Sequence, residues 1–181
     1  MVNNLRKYLA ELLGTMFLVF FGCGTAVAIT KYVTEQQLVA PHIWSWLIIA
    51  LAFGLALVAI IAIFGRVSGA HVNPAVSIAC LIDGRMNVVD CVCYIAAQVI
   101  GACAGASVLS FIWNSTEALG ANVYETHSAL GAMVTTEVAF VVELILTFVF
   151  VLTVLSATKK ENCNTGIVIG LTLTLVHIFG I

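Results

Sequence analysis

The sequence predicts an all-α membrane protein of five transmembrane helices and one re-entrant half-helix. Three observations carry this expectation. First, the 181 residues are 62% hydrophobic and hold only 7 Lys+Arg and 9 Asp+Glu, whereas a soluble domain carries roughly 25% charged residues; the mean hydropathy is +1.13. Second, the few charges bracket uncharged runs long enough to cross a bilayer, about 20 residues at 1.5 Å rise for a ~30 Å core. Third, one proline-started apolar stretch is too short to cross. This composition argues against a soluble enzyme, a disordered chain and a nucleic-acid binder, which needs a basic face.

The runs Leu12 to Thr30, Ile43 to Phe64, Val88 to Trp113, Val134 to Ala157 and Thr165 to Ile181 read as the five membrane helices, with Asp90, Glu137 and Glu143 as internal exceptions. The first run is too long for a signal peptide and lacks a cleavage pattern, so it counts as a helix. Short cytoplasmic loops retain lysine and arginine. If the helices alternate, Arg6, Lys7, Arg66, Arg85, Lys159 and Lys160 share the side of the N-terminus and only Lys31 falls opposite. The N-terminus is therefore expected in the cytoplasm, in a plasma or inner cell membrane. Five crossings would leave Ile181 at the outer surface on an apolar stop, as in a truncated chain.

Cysteine in apolar segments acts as a small hydrophobe, the reading given to Cys23, Cys80, Cys91, Cys93 and Cys103. Cys91 and Cys93 point to different faces of a helix, which disfavours a metal site. No metal or other cofactor is expected. Asn114-Ser115-Thr116 matches a glycosylation acceptor on the outer side, and His42 and His127 near outer loop ends are expected to be solvated.

The chain is self-similar. Glu11-Leu12-Leu13-Gly14-Thr15 in the first helix parallels Glu143-Leu144-Ile145-Leu146-Thr147 in the fourth, and Gly54-Leu55 in the second parallels Gly170-Leu171 in the fifth. The first helix runs outward and the fourth inward, so the copies are inverted, the arrangement of channels and transporters that place their site at the midplane. Residues 1–113 form the first repeat, including a re-entrant segment over 65–82, and residues 134–181 an incomplete second one. A charge at helix centre costs roughly 2.5–3.5 kcal/mol on insertion scales, so two carboxylates at matched repeat positions, Glu11 and Glu143, need partners in the bundle.

The segment Gly65-Arg66-Val67-Ser68-Gly69-Ala70-His71-Val72-Asn73-Pro74-Ala75-Val76-Ser77 carries the chemistry. Asn73 suits an N-cap and Pro74 the first helical position. A helix from Pro74 to Ile82 is about 14 Å long, half the bilayer core. The stretch from Gly65 to Asn73 extends up to about 26 Å, enough to reach the midplane, and Arg66 before it and Arg85 after it hold both ends on the cytoplasmic side. A loop that dips in and a half-helix that returns satisfies these constraints. Irregular backbone at that depth is tolerated only beside protein or a water-filled cavity.

Ser68 to Ser77, SGAHVNPAVS, resembles the first signature loop of the aquaporins and glycerol facilitators, the major intrinsic protein family. Glu11 with Gly14-Thr15, Ala52 to Leu55, Ala97-Gln98 with Gly101-Ala102, Leu119 to Asn122 and Glu143 also match family positions. The resemblance covers the whole chain and implies an aquaporin-like fold that is a passive channel rather than an enzyme, a homotetramer in the lipid bilayer, conducting water. In the family a second Asn-Pro-Ala loop and a sixth helix follow; the repeat spacing puts that second asparagine beyond Ile181, so the sixth helix is expected to be missing and residues 1–181 alone to conduct no water.

The resemblance implies roles residue by residue. Asn73, Pro74 and Ala75 correspond to the midplane motif, and the carbonyls of Gly69, Ala70 and His71 to acceptors along one pore wall. Phe53 and His177 correspond to the selectivity filter, and Glu11 and Glu143 to buried acids that hold the dipping loops. Phe with His resembles the narrow, water-selective branch. The alternatives are a facilitator of glycerol or other small neutral solutes, a non-conducting fragment, and a secondary transporter; the last is expected to place an ion-coordinating pair at the midplane, which Arg66 to Ile82 lacks. Gly101 and Gly105 read as close-packing positions between helices.

Overall fold

A computed structural model describes residues 2–35, 43–115, 119–120, 135–159 and 164–180. They form α1 (Val2–Glu35), α2 (Ile43–Ser68), α3 (Pro74–Ile82), α4 (Val88–Trp113), α5 (Thr136–Ala157) and α6 (Thr165–Gly180). His42, Thr116, Ala121, Asn122, His127, Val134, Lys160 and Ile181 lie outside the described residues. The bounds of α3 and α4 agree with the sequence reading. Those of α1 and α2 do not, because charge marked their expected ends and a charge does not stop a helix. α1 begins at Val2 instead of Leu12, and its added turns are used: Tyr8 donates its hydroxyl to Asp90 Oδ1 at 2.7 Å and packs edge-on against Tyr94. α2 runs through Arg66 to Ser68.

Among the described residues, four helices are long and apolar enough to cross a membrane: Asn4–Val33 within α1, Trp44–Ser68 within α2, α4 and α5. α6 is a further apolar helix, with 16 described residues, about 24 Å at the helical rise.

α1 packs against α2 and α4, α2 against α6, α5 against α6, and the short α3 lies between α4 and α5. Without a solvent-driven hydrophobic force, helices in lipid associate by close packing over small residues. Gly101 sits directly on the Leu12 carbonyl of α1, and a Cβ at Gly105 would approach the Met16 carbonyl to 2.8 Å. Gly54 and Gly170 make the corresponding crossing of α2 and α6, each against the other's carbonyl. The close packing expected of Gly101 and Gly105 therefore acts within one chain. Because the obstacle at Gly101 is backbone, no rotamer relieves it. Gly101→Leu is expected to cost more than about 2 kcal/mol, read as a lower unfolding midpoint in detergent titration, while Ile112→Leu on an exposed face of the same helix should leave the midpoint unchanged.

Lys31, near the C-terminal end of α1, has a local role. Its ammonium donates to the Trp113 carbonyl at 3.3 Å and lies 4.9 Å from the Trp113 ring centroid. A cation at a helix C-terminus complements the dipole there, so Lys31 joins the C-terminal ends of α1 and α4. Asn114 ends α4 in the left-handed region (φ 46) with its N–H on the Ser110 carbonyl, a conformation asparagine tolerates better than most residues.

Candidate functional site

The chain between α2 and α3 is held by one carboxylate. Glu11 is fully buried, and its two oxygens receive four donors: Ser68 Oγ at 2.6 Å and the His71 N–H at 2.9 Å on Oε1, the Val72 N–H at 2.7 Å and Gln98 Nε2 at 2.8 Å on Oε2. The His71 and Val72 N–H groups can only donate, so both carboxyl oxygens accept from the loop backbone. The amide orientation of Gln98 follows, since reversing it would aim the Gln98 carbonyl at the carboxylate. Its Oε1 is left buried without a partner among the described residues.

This anchoring holds an unusual backbone. Gly69 (φ 90), Ala70 (φ 49) and Val72 (φ 42) are all in the left-handed region, which costs of order 1–3 kcal/mol for a residue such as valine and persists only where the surroundings enforce it. Here Glu11 takes the N–H groups of His71 and Val72, Ser68 Oγ accepts from the Ala70 N–H at 3.0 Å, and Tyr94 donates to the Ser68 carbonyl at 2.7 Å. With the N–H groups turned to the protein, no hydrogen bond among the described residues reaches the carbonyls of Gly69, Ala70 or His71.

α3 starts as its sequence dictates. Asn73 is the N-cap in extended conformation, its Oδ1 accepting from the Ala75 N–H at 2.8 Å, with Pro74 at the first helical position. Capping uses the oxygen and leaves Nδ2 as a donor. Asn73 lines a cavity of about 150 Å³ with Leu146, Thr147, Phe150, Leu173 and His177, and Glu143 borders the same space. Ser77, one turn along α3, ties the half-helix back to α4 and the loop: its Oγ receives Gln98 Nε2 at 3.0 Å and lies 3.1 Å from His71 Nδ1.

Phe53 and His177 come together. Their rings stack with centroids 4.4 Å apart and 25° between planes. His177 Nδ1 is 3.1 Å from the Leu173 carbonyl, which only accepts, so Nδ1 carries a proton. Gly22 makes the space, since any Cβ there would run into the Phe53 ring. A larger cavity of about 390 Å³, between Met16, Phe20, Ala56 and Ile60, is lined only by apolar residues and glycine and offers no polar chemistry.

Glu143 lies on α5. It is exposed and has no hydrogen-bond partner among the described residues, unlike its repeat-mate Glu11. Among the described elements α5 meets only α3 and α6, and the second dipping loop expected to meet Glu143 is not among the described residues. Gln98, Ser77, Tyr94 and Gly22 belong to the site although sequence reading gave them no role. The signal available for Gln98 was an amide in the middle of an apolar helix.

An irregular loop entering an apolar helical bundle, fixed by a buried carboxylate and returning as a half-helix, defines a multi-pass membrane protein with a half-helix in its bundle. The Major intrinsic protein family model matches residues 1–181, and the chain belongs to that family. It is 39% identical over 180 residues to the lens fiber major intrinsic protein of Rattus norvegicus, covering 97% of this chain and 63% of that protein. It is 38% identical over 178 residues to glycerol uptake facilitator protein-like 6 of Lactiplantibacillus plantarum, covering 96% of this chain and 74% of the relative. The aquaglyceroporin of Plasmodium falciparum, a solved structure, superposes with a TM-score of 0.72 at 27% identity over 97% of this chain and 72% of that one. The chain thus spans about 63% of the length of the lens proteins it matches.

Proposed function

We propose that this chain supplies the first half and part of the second half of a passive water channel that passes water in single file and excludes ions and protons. In this reading residues 1–113 and 134–181 are inverted repeats, α6 completes a fifth crossing, and the N-terminus lies in the cytoplasm of a plasma or inner membrane. The assembly is a homotetramer, and the sixth helix lies outside residues 1–181. The observation that carries the reading is Asn73: its Oδ1 is spent on the cap, so its Nδ2 is the group offered to the cavity at the start of a half-helix.

A water passing that donor presents its oxygen and turns its hydrogens away, so waters on the two sides are oriented oppositely and proton hopping along the file is interrupted. The half-helix N-terminus carries roughly half a positive charge, which at ~5 Å and an effective dielectric near 20 repels a cation by about 1.7 kcal/mol. Stripping the ion of its water costs several kcal/mol more, so narrowness and field act together. Pro74 and Ala75 set the start of the half-helix, the carbonyls of Gly69, Ala70 and His71 supply acceptors along one wall, and Phe53 with His177 forms the constriction.

A second reading, passage of glycerol or another small neutral solute, is favoured by the facilitator-like relative and the aquaglyceroporin neighbour. The Phe53–His177 ring pair supports water instead, because two stacked rings occupy the space a carbon backbone needs. Asn73→Asp tests the water reading at its centre: size is kept, but an acceptor and a negative charge replace the donor. In proteoliposomes the variant is expected to admit cations, measured as dissipation of an imposed membrane potential. Water flux and ion tightness both equal to the parent's would show that the Asn73 side chain does not orient the file.

A further inference from the structure

The network around Glu11 holds the entering loop and α3 from the side of α1 and α4. α5 lies on the opposite side, and Arg85 reaches it. Arg85 follows the turn that ends α3, where its own N–H donates to the Cys80 carbonyl at 2.8 Å, the Asp83 N–H to the Ala79 carbonyl at 2.9 Å, and Gly84 takes φ 74. Its guanidinium donates to Thr158 Oγ1 at 2.6 Å and to the Leu155 carbonyl at 2.9 Å, both at the C-terminal end of α5, and to Asp83 Oδ2 at 2.7 Å. The Asp83 pair is weak because both side chains are partly exposed, 28% for Arg85 and 42% for Asp83. The weight rests on the fork to α5, where two helix C-termini bring their negative ends to one cation.

We infer that Arg85 is a positioning residue: it fastens the inner end of α3 to α5 and so sets the width of the cavity at Asn73. α3 has nine residues, about 13.5 Å of helix, short enough to move as a rigid rod. Its outer end faces Leu146, Thr147 and Phe150 of α5 across the cavity. Loss of the fork at the inner end lets α3 pivot about the loop that Glu11 holds, and the pivot appears as a change in the gap between Asn73 and α5. The link joins residues 70 and 73 positions apart in sequence, so it also ties the first repeat to the second.

The consequence for flux rests on the proposed channel function; the fastening itself does not. Arg85→Met and Arg85→Lys, made in the protein expressed from its full coding sequence, separate the two. Amide hydrogen exchange over Val76 to Ile82 is expected to quicken about tenfold in Arg85→Met, with partial return in Arg85→Lys, which keeps one donor group but not the fork. In proteoliposomes the ratio of glycerol to water permeability is expected to rise about threefold or more in Arg85→Met, since sub-ångström placement governs passage. A merely structural role lowers the amount of folded protein and leaves that ratio alone. Exchange equal to the parent's overturns the fastening, and faster exchange with an unchanged ratio overturns the control of cavity width. If the parent passes neither solute, the channel reading fails and the exchange result alone decides the fastening.

Discussion

Replacing Glu11 with leucine is expected to leave almost no folded protein in the membrane. Four donors converge on its carboxylate, and each buried donor left without a partner costs about 1–3 kcal/mol. Together these losses reach the size of a whole protein's stability, about 5–15 kcal/mol. The left-handed backbone at Ala70 and Val72 would lose the bonds that enforce it at the same time. Glu11→Gln separates charge from shape. Its amide oxygen satisfies two of the donors, whereas its NH₂ group faces two others, so a partial loss of about 2–6 kcal/mol is expected. The check is the yield of monodisperse protein and its unfolding midpoint in detergent, followed by water permeability per folded molecule for the glutamine variant. A Glu11→Leu protein that folds as well as the parent would remove the carboxylate from the centre of the fold.

His177→Gly is expected to open the constriction to glycerol while water continues to pass. In the parent the imidazole covers one face of Phe53 at 4.4 Å, so a solute passing this level meets two stacked rings. Glycerol is wider than water and carries a carbon backbone, and a narrow polar ring excludes it chiefly by size. Removing the imidazole leaves an apolar flank on Phe53 along which that backbone can slide. Glycerol uptake is expected to rise at least about tenfold, a gain in proportion to relief of a steric barrier of roughly 1.4 kcal/mol, with water flux within about twofold of the parent. Paired water and glycerol uptake in the same proteoliposomes reads both. A parent that already passes glycerol freely, or a variant as tight as the parent, would remove His177 from the filter and with it the preference for water.

What could be read from the chain was what is local. Asn73-Pro74 places a helix start by capping chemistry alone, and the bounds of α3 came out as Pro74–Ile82. The end of α4 at Trp113 was equally legible from the end of its apolar run. Long-range partners were not legible: Gln98 meets Glu11 across 87 positions and Ser68 meets it across 57, and no periodicity connects such pairs. The pairing of Phe53 with His177 rested on the family resemblance, because one phenylalanine among ten carries no mark of its own. Matched sequence at Glu11 and Glu143 suggested matched burial. Glu11 meets its loop within the described residues, whereas the loop expected to meet Glu143 is not among them. The start of α1 precedes the expected one for a related reason: Arg6 and Lys7 interrupt the apolar run without ending the helix, which runs from Val2 through Tyr8 and its contact with Asp90.

The claim that the donor of Asn73 interrupts a water file stands or falls on simultaneous measurement of water and proton flux. Proteoliposomes holding the protein expressed from its full coding sequence, loaded with a pH-sensitive dye, are exposed to an osmotic step in a stopped-flow instrument. The expected result is fast shrinkage with a low activation energy and an internal pH that follows an imposed proton gradient no faster than in empty vesicles. Shrinkage at the rate of empty vesicles, or proton entry that accompanies the water, would contradict it.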